Sequence, residues 1–287
     1  MTETRDKTVL SEHETDEIRA LIEQRSGILF DVSRERFFTT RVREHLSRKH
    51  LHNGTELLRL LRTSNVEYDS MLENLLTQET RFFRYPEIFT ALGERILPEM
   101  HVRKFWQSPR ALRIWSAGCS TGEEPYSIAL SLCEALEFPE AWQIEILATD
   151  ISKVALQTAE RGLYSPRVLE NLTPRQTESF FVREGELYSV KPRLRKMVKL
   201  APMNLAQPVY VGRFDLIFCM NVLIYFSAAR RKQVIQRFCD ALEPGGYLIL
   251  GHAETAAGAQ ANFTQSVHKG ARLLQKPETV AAIGGAR

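Results

Sequence analysis

No stretch of this 287-residue sequence approaches the roughly eighteen uncharged apolar residues that a membrane-crossing helix requires. The opening MTETRDKTVLSEHETDE is polar where a secretory leader needs an apolar centre. Both absences point to the cytoplasm, with no insertion into a membrane. Cysteine is scarce. Cys119, Cys133, Cys219 and Cys239 lie far apart with no C-x-x-C pair, which argues for reduced thiols and against a disulfide framework or a zinc site. Histidines are scattered, and the trio His45, His50 and His52 reads as surface, so no metal site is expected. A formal net charge of +3 is too small to imply nucleic acid by itself.

What is present is the composition of a soluble globular chain, 44% hydrophobic and 25% charged. Residues 1 to about 95 show helical spacing only, near 11–26, 33–49, 54–63, 66–78 and 85–99. Ser26-Gly27 ends the first segment, Asp31 and Ser33 are candidate caps for the second, and His52-Asn53-Gly54 separates it from the third. From Leu112 the pattern changes. RIWSAG, IEILATD, FDLIFCMN and GYLILGHAE alternate with helical stretches, as in a doubly wound α/β sheet whose parallel strands are buried on both faces. Between about Gly162 and Pro202, ELYSV and KMVKLAP flank Lys191-Pro192 and predict a small antiparallel insert. The tail beyond Pro277 carries no such pattern and is expected to be mobile.

The first strand runs into Gly118-Cys119-Ser120-Thr121-Gly122-Glu123-Glu124-Pro125, and a helix follows. Strand, glycine loop and helix make a nucleotide-binding arrangement, in which glycines let the backbone approach a ligand and the helix start offers N–H groups. A dinucleotide site would have G-x-G-x-x-G with phosphates over that helix. Here the spacing is G-x-x-x-G, and Glu123 and Glu124 occupy the phosphate position. Two carboxylates repel phosphate but suit S-adenosylmethionine, which has no phosphate and carries a sulfonium and an ammonium. Asp150 ends the next strand, where a carboxylate can accept both ribose hydroxyls; alone it could equally cap the helix that follows. Asn204 and Asn221 also fall at strand ends, as turn residues or as amides for the adenine edge or the amino-acid end of the cofactor.

These residues resemble the CheR-type chemoreceptor methyltransferases over roughly residues 12–275, through TQETRFFRYPEIF (77–89), WSAGCSTGEEPYSIAL (115–130), ATDIS (148–152), FDLIFCMNVLIYF (214–226) and GGYLILGHAE (245–254). The resemblance implies an all-α N-terminal domain over 1–84, a linker helix over 85–107, and a Rossmann-like, seven-stranded S-adenosylmethionine-dependent methyltransferase domain over 108–287 with an inserted β-subdomain at about 163–200. It implies cofactor contacts at Thr80, Arg84, Glu124, Asp150, Asn204, Leu205, Met220 and Asn221, with Gln78 standing where the family usually has asparagine. Tyr225 matches the family's active-site tyrosine, and Arg84 the arginine held near both cofactor and acceptor. His252, inside GHAE, reads as structural support near the pocket.

The substrate this implies is a glutamate side chain on the cytoplasmic part of a chemotaxis receptor. Glutamate is already an anion at cytoplasmic pH, so transfer needs no general base, and no catalytic triad is expected. The first 31 residues hold eight acids against four bases, whereas Arg34 to Lys49 holds six bases against two acids. At about 100° per residue, Arg34, Arg41 and Arg48 form one stripe and Arg36, Arg43 and His50 another. The plainer reading pairs them with the acidic first helix; the family reading makes them, with the β insert, a docking surface for acidic receptor helices. A monomer is expected. Enzymes that methylate base amines usually carry Asn/Asp-Pro-Pro-aromatic, and Asn221-Val222-Leu223-Ile224-Tyr225 departs from it. The remaining alternatives are methylation of another protein substrate and a cofactor-sensing adaptor without turnover.

Overall fold

The computed structural model describes residues 10–208, 211–256 and 260–278; most of the tail beyond Pro277 lies outside the described residues. They form two compact units, one of the chain up to Thr77 with Tyr225–Arg230, the other of Gln78–Ile224 with the chain from Arg231. Among the described residues, no helix is long and apolar enough to cross a membrane.

The first unit is helical. Helix α1, Glu12–Ser26, starts at a capping box: the Glu14 N–H donates to Ser11 Oγ (3.2 Å) and the Ser11 N–H to the Glu14 carboxylate (3.0 Å). It ends at Gly27, whose φ of 79° lets its N–H turn back to the Glu23 carbonyl. Helix α2 spans Glu35–Arg48, after a 3-10 turn at Val32–Arg34. It stops because the His50 and Leu51 N–H groups close back on the Ser47 and Leu46 carbonyls, with His50 left-handed at φ 54°. The two arginine stripes therefore lose their ends: Arg34 is the N-cap and His50 lies outside the helix. Helices α3, Gly54–Thr63, and α4, Asn65–Leu75, are capped by the side chains of Asn53 and Ser64.

Ile18, Ile22, Phe38, Val42, Leu46, Leu57, Leu61 and Met71 are all fully buried in this unit. His45 joins them, which corrects its reading as a surface residue. It follows Val42 by three residues and so shares the buried face of α2. Its Nδ1 lies 2.8 Å from Asn74 Nδ2, and burial, assisted by the Arg48 and Lys49 charges, lowers its pKa to about 4. Tyr225–Arg230 joins the helices through the Leu29 N–H, which donates to the Tyr225 carbonyl at 2.7 Å, and a bridge between Ile28 and Phe226.

In the second unit, α5 (Pro86–Ala91), a π-helical turn (Leu92–Ile96) and α6 (Leu97–Lys104) run without a break. Then come β1 (Arg110–Ala117), α7 (Glu123–Ala135), β2 (Trp142–Asp150), α8 (Lys153–Arg161), β3 (Leu163–Tyr164), α9 (Pro174–Phe180), β4 (Phe181–Glu184), β5 (Leu187–Val190) and α10 (Pro192–Arg195). The chain closes with β6 (Val198–Pro202), β7 (Phe214–Cys219), α11 (Ala228–Ala241), β8 (Leu242–Leu250), β9 (Thr264–His268) and β10 (Ala271–Gln275).

Seven strands form one sheet in the order β6-β2-β1-β7-β8-β10-β9, parallel except at β10 and β9. All six residues of β7 are buried, as two covered faces require. β3, β5 and β4 form the antiparallel insert, but the KMVKLAP run does not belong to it. It pairs in parallel with β2 through β6, where Val198 packs onto the main core and Leu200, with Val198, onto the small cluster of Cys119, Ala148 and Leu156. The β9–β10 hairpin had no counterpart in the periodicity; TQSVH and ARLLQ are short and half polar. Phe82 ties the insert in, its ring edge-on to Tyr164 (5.1 Å) and Phe181 (5.4 Å).

Candidate functional site

Parallel register brings the C-terminal ends of five strands to one edge: Ala117 is level with Thr149, Asp150 with Pro202, and Cys219 with Leu250. The segments that follow, beginning at Gly118, Ile151, Met203, Met220 and Gly251, therefore meet along the edge where open α/β sheets bind ligands.

The glycine loop turns at Gly118 (φ 89°) and Gly122 (φ 98°), and the Gly118 and Cys119 N–H groups donate to the Thr149 carbonyl. Close packing within the protein itself demands these glycines. A Cβ on residue 118 would lie 2.3 Å from Val222 Cγ2, and one on residue 122 would lie 2.8 Å from both the Ala159 Cβ and the Tyr164 hydroxyl. Glu123 and Glu124 open α7 and are both buried. Ser116 donates its hydroxyl to Glu124 at 2.6 Å, and Thr121 donates to Glu123 at 2.7 Å. Burial raises the pKa of Glu124 to about 8, with Glu254 and Asp150 raising it further and Ser116 and Arg84 opposing. Burial also drives the Cys119 and Cys219 thiols well up, which keeps them protonated.

Ser152 is the N-cap of α8, accepting from the Ala155 N–H, while the Asp150 carboxylate accepts the Ser120 and Ser152 N–H groups, each at 2.8 Å. Gln78 Nε2 donates to the Ser152 hydroxyl at 3.0 Å, so the longer amide reaches the turn beside Asp150. Met203 donates its N–H to the Asp150 carbonyl, which draws in the Asn204 turn; Asn204 Oδ1 accepts the Ala206 N–H at 2.8 Å. Leu205 lines a cavity with Trp115, Met203 and Phe238. Thr80 is half-buried, and Met220 is packed in the main core.

Arg84 donates to the Glu79 carbonyl at 2.9 Å and stands 5.8 Å from the Tyr85 ring centroid. The Tyr85 hydroxyl donates to Asn221 Oδ1 at 2.9 Å. Asn221 is left-handed at φ 61°, and its N–H, with those of Val222, Leu223 and Gly251, donates to the Glu254 carboxylate. The expected residues Arg84 and Asn221 are thus linked through Tyr85, and Asn221 is held by Glu254. Sequence reasoning assigned no role to Tyr85 or Glu254. The available signal for Glu254 was an acid four residues past a continuously apolar strand. His252 is exposed, pairs with Glu87 and lies 4.2 Å from the Tyr85 ring. Tyr225 belongs to the helical unit, with Arg34 over its ring.

The donor set suits a cationic ligand. Glu124, Asp150 and Glu254 interact electrostatically, Arg84 is the cation acting among them, and the buried Ser120 Oγ has no hydrogen-bond partner. A ligand bearing sulfonium, ammonium and hydroxyl groups would add positive charge beside these acids and a polar contact for the Ser120 Oγ.

The family model for the CheR methyltransferase SAM-binding domain matches residues 78–271. A chemotaxis protein methyltransferase of Escherichia coli (strain K12) is 36% identical over 270 residues, covering 90% of each chain. One of Vibrio anguillarum is 33% identical over 261 residues, covering 88% of this chain and 93% of that protein. One of Borreliella burgdorferi is 34% identical over 253 residues, covering 85% and 89%.

Proposed function

The chain belongs to the CheR methyltransferase family, and we propose that it transfers a methyl group from S-adenosylmethionine to glutamate side chains on the cytoplasmic part of chemotaxis receptors. The observation that carries this reading is the buried acid cluster with Arg84 acting on it: acids for a cationic donor, an arginine for an anionic acceptor.

When bound, S-adenosylmethionine supplies an electrophilic methyl group on sulfur. Asp150 would accept the ribose hydroxyls, and Glu124 would hold the cofactor's positive charge. Asn204, Leu205, Met220 and Asn221, which follow strand ends, and Gln78 and Thr80, from the segment before α5, would complete the contacts. Arg84 would pair with a carboxylate, of the cofactor or of the target glutamate, and the role assigned to Tyr225 is to pack and polarise near the sulfur. The acceptor is already ionised, so these residues orient it and exclude water; positioning of this kind is worth on the order of 7–11 kcal/mol of a barrier. Arg84 must not hold the acceptor too tightly, because the acceptor's negative charge is lost as the bond forms.

The organisation that accompanies this reading is a helical domain over 1–84, a linker helix over 85–107 and a catalytic domain over 108–287, in a monomeric cytoplasmic enzyme. Arg36, Arg43 and Arg48 are exposed on α2 and supply a basic face for acidic receptor helices. Arg41 pairs with Glu44 of its own helix at 2.8 Å, and Arg19 of α1 lies 3.7 Å from Glu35 of α2. These contacts leave the basic face available, which favours docking over pairing with α1. Tandem mass spectrometry of a receptor cytoplasmic fragment, incubated with enzyme and S-adenosylmethionine, should find methyl groups on glutamate carboxylates. Methylation confined to other residue types would refute the substrate assignment.

A further inference from the structure

We propose that Glu254 is a positioning residue for the cofactor site: its carboxylate fills a nest of backbone N–H groups at the ends of β7 and β8, fixes the Asn221 turn, and denies that nest to the acceptor carboxylate. The inference rests on the reading of Asn221 as a cofactor contact.

Four N–H groups converge on this one side chain. Asn221 and Gly251 donate to Oε2, both at 2.8 Å, while Val222 and Leu223 donate to Oε1 at 2.9 and 2.7 Å. Glu254 is 3% exposed, so the bonds form away from water. Successive N–H groups pointing to one side make an anion-binding concavity. The anion in this one belongs to the protein.

The surroundings are shaped to the arrangement. A Cβ on Gly251 would lie 2.8 Å from Glu254 Oε2 and 3.0 Å from the Asn221 nitrogen, so the strand end is bare where the carboxylate passes. Asn221 adopts a left-handed backbone that a non-glycine residue holds only under constraint, and its own N–H bond to Glu254 supplies that constraint. In that conformation its Oδ1 takes the Tyr85 hydroxyl, which leaves the amide hydrogens as its donors to a ligand.

The chemistry explains why such a nest should be occupied. A target carboxylate gripped by several N–H groups would be stabilised as the ground-state anion and lose nucleophilicity. With Glu254 in place, the acceptor meets no backbone anion hole at this strand end. Glu254 also acts on Glu124, which faces Ser116 from β1, Asp150 from the end of β2, Arg84, and the Cys119 and Cys219 thiols. Removing the Glu254 charge therefore eases ionisation of Glu124.

The test is calorimetric binding of S-adenosylhomocysteine to the full chain and to Glu254→Gln between pH 6 and 9. In the variant an NH2 group confronts N–H donors, so affinity should fall at least tenfold, and the pH at which affinity levels off should move down. A folded variant with unchanged affinity and unchanged pH profile overturns the proposal. If the variant does not fold, amide hydrogen exchange of the wild-type chain decides: Asn221, Val222, Leu223 and Gly251 should be strongly protected without cofactor, and rapid exchange would overturn it. A wild-type chain that binds no S-adenosylhomocysteine defeats the cofactor assignment, and the exchange measurement then still judges Glu254.

Discussion

The Arg34 guanidinium stands 5.2 Å from the centroid of the Tyr225 ring, with the Phe30 and Phe37 ring centroids at 5.0 and 5.4 Å. An arginine that the sequence placed in a docking stripe is therefore turned onto the residue proposed for the active site. Cation–π contacts are worth up to about 2 kcal/mol when shielded. Arg34→Ala should lower turnover on receptor about tenfold while leaving S-adenosylmethionine affinity unchanged, with Arg34→Lys intermediate. Steady-state kinetics beside calorimetry check this. A loss confined to KM would assign Arg34 to receptor docking instead.

Arg36 and Arg43 present the contrasting case, because both are exposed on α2. Reversing both to glutamate should raise the KM for receptor several-fold, flatten its salt dependence and leave cofactor binding alone. Methylation rates measured across ionic strengths test it, and an unchanged KM would remove α2 from the docking surface.

Glu124, with its pKa raised to about 8, carries a proton in the free site at neutral pH. A cationic ligand favours its ionised form, so binding should release a proton and tighten as pH rises toward 8, by at most about tenfold per unit. Above 8 the affinity should level off, and in Glu124→Gln the dependence should vanish. The same shift acts on folding in the opposite direction. The native state holds a proton that the unfolded chain loses above about 4.5, so this residue's contribution to stability declines as pH climbs from 4.5 to 8. Calorimetry in buffers of differing ionisation enthalpy counts the proton directly.

Glu14 has its pKa lowered to about 2, first by the Ser11 N–H and then by the Ser11 and Thr55 hydroxyls. Its carboxylate joins the start of α1 to the start of α3 through Thr55 (2.8 Å). The stability it confers is present above about pH 4.5 and lost as pH falls toward 2. Glu14→Ala should destabilise the helical unit by about 1 kcal/mol at neutral pH, the usual order for a lost cap. Urea denaturation followed by circular dichroism measures it.

The local features proved legible where one stretch of sequence carries them. The glycine loop, the apolar strands and Asp150 at its strand end are each visible in under ten residues. What stayed hidden depends on pairing between distant segments. KMVKLAP looks the same whether it pairs with a hairpin neighbour or with β2, and only the partner decides. Glu254 is an acid at the end of a strand until the Asn221 turn is brought to it from 33 residues away. The glycines at 118 and 122 let the backbone approach a ligand, and that Val222, Ala159 and Tyr164, all remote in sequence, also leave no space for a Cβ there is visible only in the fold. The arginine stripes assumed an unbroken helix, and the left-handed His50 shows where that assumption fails.

One labelling measurement tests glutamyl methylation most directly. The enzyme is incubated with methyl-labelled S-adenosylmethionine and the cytoplasmic fragment of a chemotaxis receptor from the same organism, and the product is treated with mild alkali. Label should enter the receptor, leave as methanol under alkali as a carboxyl methyl ester does, and be absent when the receptor's candidate glutamates are replaced by alanine. Label that resists alkali, or persists after those replacements, would contradict glutamyl methylation.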